Sequence, residues 1–285
     1  MNQTEKTTEK KEKRKKGGFL SVFLLLIFLL SSGACLYLIY GEICKELGIR
    51  EMETDLQAYV TSQPSTTAPE PDAGQEPDSV SEEPDIEPSY LFDWEGLSAQ
   101  SDYVIGWIQI PGIERISYPI VQNPDDNQFF LTHDWTGASQ SAGAIFLNRY
   151  NASDFSDMNS IIYGHRMKAG SMFGSLKQYG DQKFLDEHPY FYVYTPDGAK
   201  RTYEIICYSS VTDGSDAYLM HFESPDERMA YYDMMIYNAI SKRDIELNRF
   251  DTTIILSTCN TTGYYDRLAV LGKLVAIDLN GQIAE

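Results

Sequence analysis

The chain has 285 residues, 42% hydrophobic and 23% charged, so it is neither a disordered polymer nor a collagen-like one. Its formal net charge of −19 argues against a nucleic-acid partner, because phosphate contacts need clustered Lys and Arg. The four cysteines, Cys35, Cys44, Cys207 and Cys259, form no CxxC pair and no zinc spacing, which speaks against a disulfide framework, a metal site and a metal cofactor.

The charge is unevenly spread. Residues 1–18 hold seven Lys/Arg and three Glu, and read as a basic cytoplasmic segment. Residues 19–40 carry no charge, and as a helix they span about 33 Å at about 1.5 Å per residue, enough for a bilayer core of about 30 Å. Lys10, Lys11, Lys13, Arg14, Lys15 and Lys16 precede this run, so the positive-inside rule keeps the N-terminus cytoplasmic and exports the rest. A cleaved signal peptide would have a shorter apolar region and a small-residue cleavage site; this run ends in Leu36-Tyr37-Leu38-Ile39-Tyr40, which favours an uncleaved single-pass anchor in the cell membrane.

Residues 41–88 are expected to be an extracellular linker. Residues 51–95 hold thirteen Asp/Glu and no Lys or Arg, and residues 61–88 contain six of the twelve prolines. Such a composition cannot bury enough apolar surface to offset its ordering entropy, and proline and like charge both extend it. A spacer that lifts a domain off the membrane and a linker with no length requirement fit this stretch equally well.

Residues 89–285 read as the folded domain. Leu91, Phe92, Trp94 and Leu97 predict a short N-terminal helix. Runs rich in β-branched and aromatic residues follow at 104–110, 117–121, 143–147, 160–163, 190–195, 201–211, 252–258 and 268–277, separated by Gly, Pro, Asn and Asp. Eight such runs fit a closed barrel or a sandwich, making the domain mainly β. One long helix interrupts them before the last two strands. Ser224-Pro225-Asp226-Glu227 supplies its cap, and Met229, Tyr232, Met235, Ile236, Ala239 and Ile240 supply its apolar stripe, read as core packing.

Three residues stand where chemistry is possible. Cys259 ends the buried run 252–258, so a sheet fixes its backbone while the chain turns into a loop. A cysteine nucleophile needs that placement, together with activation to the thiolate. His165 ends Ile161-Ile162-Tyr163-Gly164-His165, and an imidazole exchanges protons near neutral pH. His133 is its nearest rival; His188 and His221 read as surface residues. Arg267 opens the strand after Cys259, and its guanidinium offers a fork of donors for a carbonyl or an oxyanion. Taken singly, each has a plain structural explanation. Cys207, inside the run 201–211, reads as core, and both Cys207 and Cys259 are expected to be free thiols.

Together the three carry a resemblance. Leu256-Ser257-Thr258-Cys259, Tyr163-Gly164-His165 and Arg267 at the opening of the last strand resemble the motifs of the sortases. Gly106-Trp107-Ile108 with Ile110-Pro111-Gly112, Tyr118-Pro119-Ile120-Val121-Gln122 with Asp126-Asn127, Gly143-Ala144-Ile145-Phe146-Leu147 and Met172-Phe173-Gly174 support it in the same order. The similarity covers about residues 90–278 and is nearest to class B, whose insertion the long helix resembles. The loop between Cys259 and Arg267 is about two residues shorter than the class B pattern, so fine specificity does not transfer.

The resemblance implies a closed eight-stranded sortase-type β-barrel and a cysteine transpeptidase without cofactor. Cys259 would attack the Thr carbonyl of an exported protein's sorting signal. Arg267 would hold the oxyanion, His165 would protonate the leaving amine, and an amine of a peptidoglycan precursor would resolve the thioester. Of the two substrate-binding candidates, Thr258 would add an oxyanion contact and Ser257, more weakly, would touch substrate. A hydrolysing cysteine peptidase or amidase is the alternative; in papain-like families the cysteine precedes the histidine, whereas His165 here precedes Cys259 by 94 residues. No Asp-Pro-aromatic lid of the pilin-polymerising class C is present, which speaks against class C without excluding pilus assembly. A tethered β domain without chemistry is the third reading, and it predicts an unreactive Cys259.

Overall fold

The computed structural model describes residues 3–63, 89–212, 214–259, 266–279 and 282–283; of residues 3–22, 63, 89, 259, 266 and 282–283 it describes the backbone alone. The chain divides into two compact units, Met1–Arg50 and Glu51–Glu285. The first is built from helix α1 (Gln3–Leu56) up to Arg50, and the last residues of that helix belong to the second. Among the described residues this is the one helix long and apolar enough to cross a membrane, with a mean hydropathy of 2.3 and none of its apolar stretch buried. The two serines inside that stretch are internally satisfied: the Ser31 and Ser32 hydroxyls donate to the Phe28 carbonyl at 2.9 and 2.7 Å.

Part of the stretch 41–88 expected as linker takes regular structure. Helix α1 continues to Leu56, and Val60–Gln63 (β1) pairs antiparallel with Ser89–Phe92 (β2). The composition of residues 41–56 is not that of a coil: Ile43, Leu47 and Ile49 alternate with helix-forming Glu, Lys and Arg, and only past Gln63 does proline become frequent. The Pro-rich stretch 64–88 lies outside the described residues. Its flanking residues Gln63 and Ser89 are partners across the β1–β2 ladder.

The N-terminal helix of the domain, α2 (Trp94–Gln100), is shorter than the sequence suggests. Leu91 and Phe92 belong to β2, and Asp93 separates the two elements as N-cap, its side chain accepting from the Gly96 N–H at 2.8 Å.

Eight strands then build the barrel, interleaved with two helices and two edge strands. In chain order the elements are β3 (Val104–Gln109), β4 (Ser117–Val121), β5 (Ile145–Leu147), β6 (Asn159–His165), α3 (Gln182–Glu187), β7 (Tyr190–Tyr194), β8 (Ala199–Thr212), α4 (Pro225–Tyr237), β9 (Ala239–Lys242), β10 (Thr253–Cys259), β11 (Asp266–Leu279) and β12 (Gln282–Ile283). The order around the sheet is β11-β10-β6-β5-β4-β3-β7-β8, and β8 returns to β11, which closes an eight-stranded barrel; β9 and β12 add to its outside edges. All eight predicted runs are barrel strands. Closure removes the unpaired edges that an open sheet of this length would expose.

Two strands form the centre. β6 and β10 pair in parallel, and Ile161, Ile162, Ile254, Ile255 and Leu256 are all fully buried. Continuous apolar runs of this kind suit strands covered on both faces. One covering layer is the barrel interior; the other is α4. Tyr231, Tyr232 and Met235 of α4 pack on Ile161, Ile206, Cys207, Ile255, Ala269 and Leu271. The cap is as read from sequence: the Ser224 hydroxyl accepts from the Glu227 N–H at 3.1 Å, with Pro225 in the first turn. The stripe ends sooner than expected, however. Helix α4 stops at Tyr237, and Ala239 and Ile240 lie in β9. There Ser209 takes Ala239 as ladder partner, so sheet hydrogen bonding overrides helical spacing.

Candidate active site

The parallel ladder between β6 and β10 runs in register from Thr253↔Asn159 to Cys259↔His165. Cys259 and His165 are thus cross-strand partners at the C-terminal ends of neighbouring strands. Directly opposed positions share one face of a sheet. β11 brings the third position. Its antiparallel ladder with β10 matches Ser257 with Ala269, and the Thr258 hydroxyl accepts from the Leu268 N–H at 3.1 Å. Two residues beyond that Ser257–Ala269 pair stand Cys259 and Arg267. Sequence positions 94 and eight residues from Cys259 meet at one sheet edge. The Cys259 side chain, residues 260–265 of the short loop and the side chain of Asp266 lie outside the described residues.

The next layer along the same face is Tyr163, Ser257 and Ala269, the first half-buried and the other two fully buried. Ser257 is fully buried and shares a 2.9 Å hydrogen bond with the Tyr218 hydroxyl. Tyr218 stacks on Tyr163 at 6.1 Å, and Tyr163 accepts from the Asn148 side-chain amide at 3.2 Å. Thr258 is 1% exposed. The side chains of Ser257 and Thr258 therefore face packed protein and hold the strand end. Tyr218, on the turn Asp216–Tyr218 before α4, is the residue that sequence reasoning missed; nothing but its aromatic type marked it.

His165 is half-buried and held. Its Nε2 lies 2.8 Å from the Leu131 carbonyl. A carbonyl only accepts, so that partner assigns the proton to Nε2 and leaves Nδ1 as the nitrogen free to exchange. The carbonyl belongs to the tight turn Phe129–Leu131, and Gly143 packs against both that turn and the imidazole. Gly143 has φ +63, and a Cβ there would stand 2.3 Å from the Phe130 oxygen and 2.9 Å from His165 Cδ2. Glycine is needed twice over, for its backbone angle and for its lack of bulk. We expect Gly143→Ala to lower kcat about tenfold or more with KM little changed, since it would displace the imidazole to which the resemblance gives the proton transfer, and a small displacement of such a group is that costly. Steady-state kinetics with a melting curve checks this; a wild-type kcat would refute it.

The rival histidines are placed elsewhere. His133 stacks flat on Phe129 with ring centroids 4.0 Å apart, and its Nδ1 is 2.8 Å from the Phe129 carbonyl. His188 packs on Phe184, and His221 is exposed. Cys207 is a free, fully buried thiol on β8, so it makes no bridge to Cys259. Burial pushes its pKa up to about 11, against which the Ser209 hydroxyl acts weakly. At neutral pH it is an unreactive core residue. Among the described residues no cluster of His, Cys, Asp or Glu has the geometry to hold a metal ion.

Fold and register thus define a closed β-barrel protein that gathers cysteine, histidine and arginine positions at one edge. A family model for the sortase domain matches residues 108–275. Sortase B of Listeria monocytogenes is 34% identical over 176 residues, 60% of this chain and 70% of that protein. The crystal structure of Bacillus anthracis sortase B in complex with AAEK1 superposes with a TM-score of 0.58 at 31% identity, covering 64% of this chain and 83% of that one. The Staphylococcus aureus sortase B–substrate complex shares the fold, with a TM-score of 0.59 at 23% identity over 64% and 83% of the two chains. The chain belongs to the sortase family, in class B, and sortases are cysteine transpeptidases.

Proposed function

We propose that this protein is a membrane-anchored class B sortase whose catalytic domain works outside the cell. It cleaves a C-terminal sorting signal after Thr and joins the new carboxyl end to an amine of a cell-wall precursor. The observation that carries this reading is the Cys259↔His165 ladder pair with Arg267 beside it on β11. The apolar segment of α1, preceded by the basic residues 10–16, supports an anchor with a cytoplasmic N-terminus. The division into residues 1–18, 19–40, a linker over 41–88 and a catalytic domain from residue 89 belongs to the same proposal.

Each step follows from the groups at this edge. The Cys259 thiolate forms an S–C bond to the Thr carbonyl carbon, and the tetrahedral oxyanion takes donors from the Arg267 guanidinium. As the C–N bond breaks, the leaving nitrogen takes a proton from His165 Nδ1–H, while Nε2–H stays on the Leu131 carbonyl. The thioester remains. An incoming amine then forms a C–N bond and passes its proton to Nδ1, and the sulfur leaves as thiolate. Ser257, Thr258, Tyr163 and Tyr218 support the strand end and shield it from water.

The test uses a panel of signal peptides with and without oligoglycine or hydroxylamine, read by mass spectrometry. A peptide–amine adduct is expected. Acid as the sole product in the presence of amine would replace transpeptidation by hydrolysis.

A further inference from the structure

The segment after His165 is gripped from a part of the chain far from it in sequence. This segment turns back on itself: the Phe173 N–H donates to the His165 carbonyl at 3.0 Å, and Arg166 bridges to Met172, which has φ +50. The Phe173 ring packs on Gly164, where a Cβ would lie 2.7 Å from it. Any shift of residues 166–173 is therefore passed to the backbone of His165. Two side chains hold this segment by its peptide groups. The Tyr118 oxygen of β4 accepts from the Met172 N–H at 3.2 Å, and the Arg115 guanidinium donates to the Ala169 carbonyl.

Both side chains meet at one carboxylate. The Tyr118 hydroxyl donates to Glu53, and Arg115 Nη2 is 3.8 Å from the other Glu53 oxygen. Glu53 sits in the last turn of α1, within the compact unit that begins at Glu51. Tyr118 is 2% exposed, and burial and the adjacent carboxylate raise its pKa, so the phenol stays protonated and keeps donating. A hydrogen bond from a buried phenol to a carboxylate is of the stronger, charge-assisted kind.

We propose that Glu53 is a positioning residue for His165, acting through Tyr118 and Arg115 on the backbone of residues 166–173. This rests on the catalytic role given to His165 above. The last turn of the helix that carries the apolar segment is then part of the catalytic apparatus. A soluble enzyme that begins after residue 63 lacks the clamp.

The test compares wild type, Glu53→Ala and Glu53→Gln as full chains in detergent. The first readout is hydrogen exchange of peptides covering residues 166–173 in the resting enzyme. The second is kcat and KM for signal-peptide cleavage. Glu53→Ala is expected to exchange about tenfold faster in that segment and to lose about tenfold in kcat with KM within about twofold. Glu53→Gln keeps an acceptor for the Tyr118 hydroxyl and recovers part of both. Unchanged exchange in Glu53→Ala overturns the clamp; faster exchange with wild-type kcat overturns its link to His165. If Glu53→Ala does not fold, Glu53→Gln and Arg115→Ala are read by the same criteria. A wild-type enzyme inert to every peptide would count against the proposed function instead. Exchange then still decides the clamp, and a rate of Cys259 alkylation equal in wild type and Glu53→Ala would overturn the link.

Discussion

Cys259→Ala forms no acyl-enzyme, and its transpeptidation falls below detection, a loss on the order of 10⁴-fold or more. The second thiol of the barrel cannot take over. The other cysteine of the barrel, Cys207, is sealed under α4, with its sulfur 3.8 Å from the Met235 carbonyl and its thiol held protonated. The measurement is intact-mass detection of the thioester after mixing with a signal peptide, beside turnover in the presence of amine. Iodoacetamide with peptide mapping gives a companion result at neutral pH: Cys259 is alkylated and Cys207 is spared. Cys35 and Cys44 are exposed on α1, so mapping rather than total mass must assign the label. Transpeptidation retained by Cys259→Ala would remove the mechanism altogether.

His165→Ala loses about 10²- to 10⁴-fold in kcat, the range in which a positioned acid–base group contributes. His133→Ala stays within about threefold. Both histidines touch the turn 129–131, so the pair separates chemistry from packing. His133 is tied to that turn by a stacked ring and a carbonyl of its own helix-like loop. His165 reaches the turn across the barrel edge and keeps Nδ1 for the reaction. Steady-state rates of the two variants decide the matter, and the reverse order of losses would transfer the acid–base role to His133.

Much of this protein is readable from local pattern. The apolar run 19–40 and the basic residues before it are legible because the length and apolarity that a bilayer span requires are properties of composition. The eight barrel strands are legible because each carries β-branched or aromatic residues bounded by turn formers. The misreadings occur where two local signals compete. Leu91 and Phe92 have side chains that suit a helix or a strand equally, and pairing with Val60 and Thr61 decides for the strand. Ala239 and Ile240 continue a helical spacing, but Ala239 finds a ladder position opposite Ser209 of β8 and Ile240 falls at the register shift beside it. The packing of Thr258 and Ser257 beside Cys259 is likewise outside local pattern, since alternation and barrel closure set what each strand position faces.

Sequence pattern alone thus marks an apolar segment long enough for a bilayer, a mainly β domain and three candidate site positions, since residue type and strand-end position are local properties. That the three positions come together is a matter of tertiary pairing. The parallel pairing of β6 with β10 and the antiparallel pairing with β11 are made between segments distant in the chain, and a slip of one residue in either would turn a partner to the other face. The same holds for the Leu131 carbonyl on His165, the space left by Gly143, and the Glu53 carboxylate behind the 166–173 segment. These contacts are set by how the barrel closes, which no stretch of sequence specifies alone.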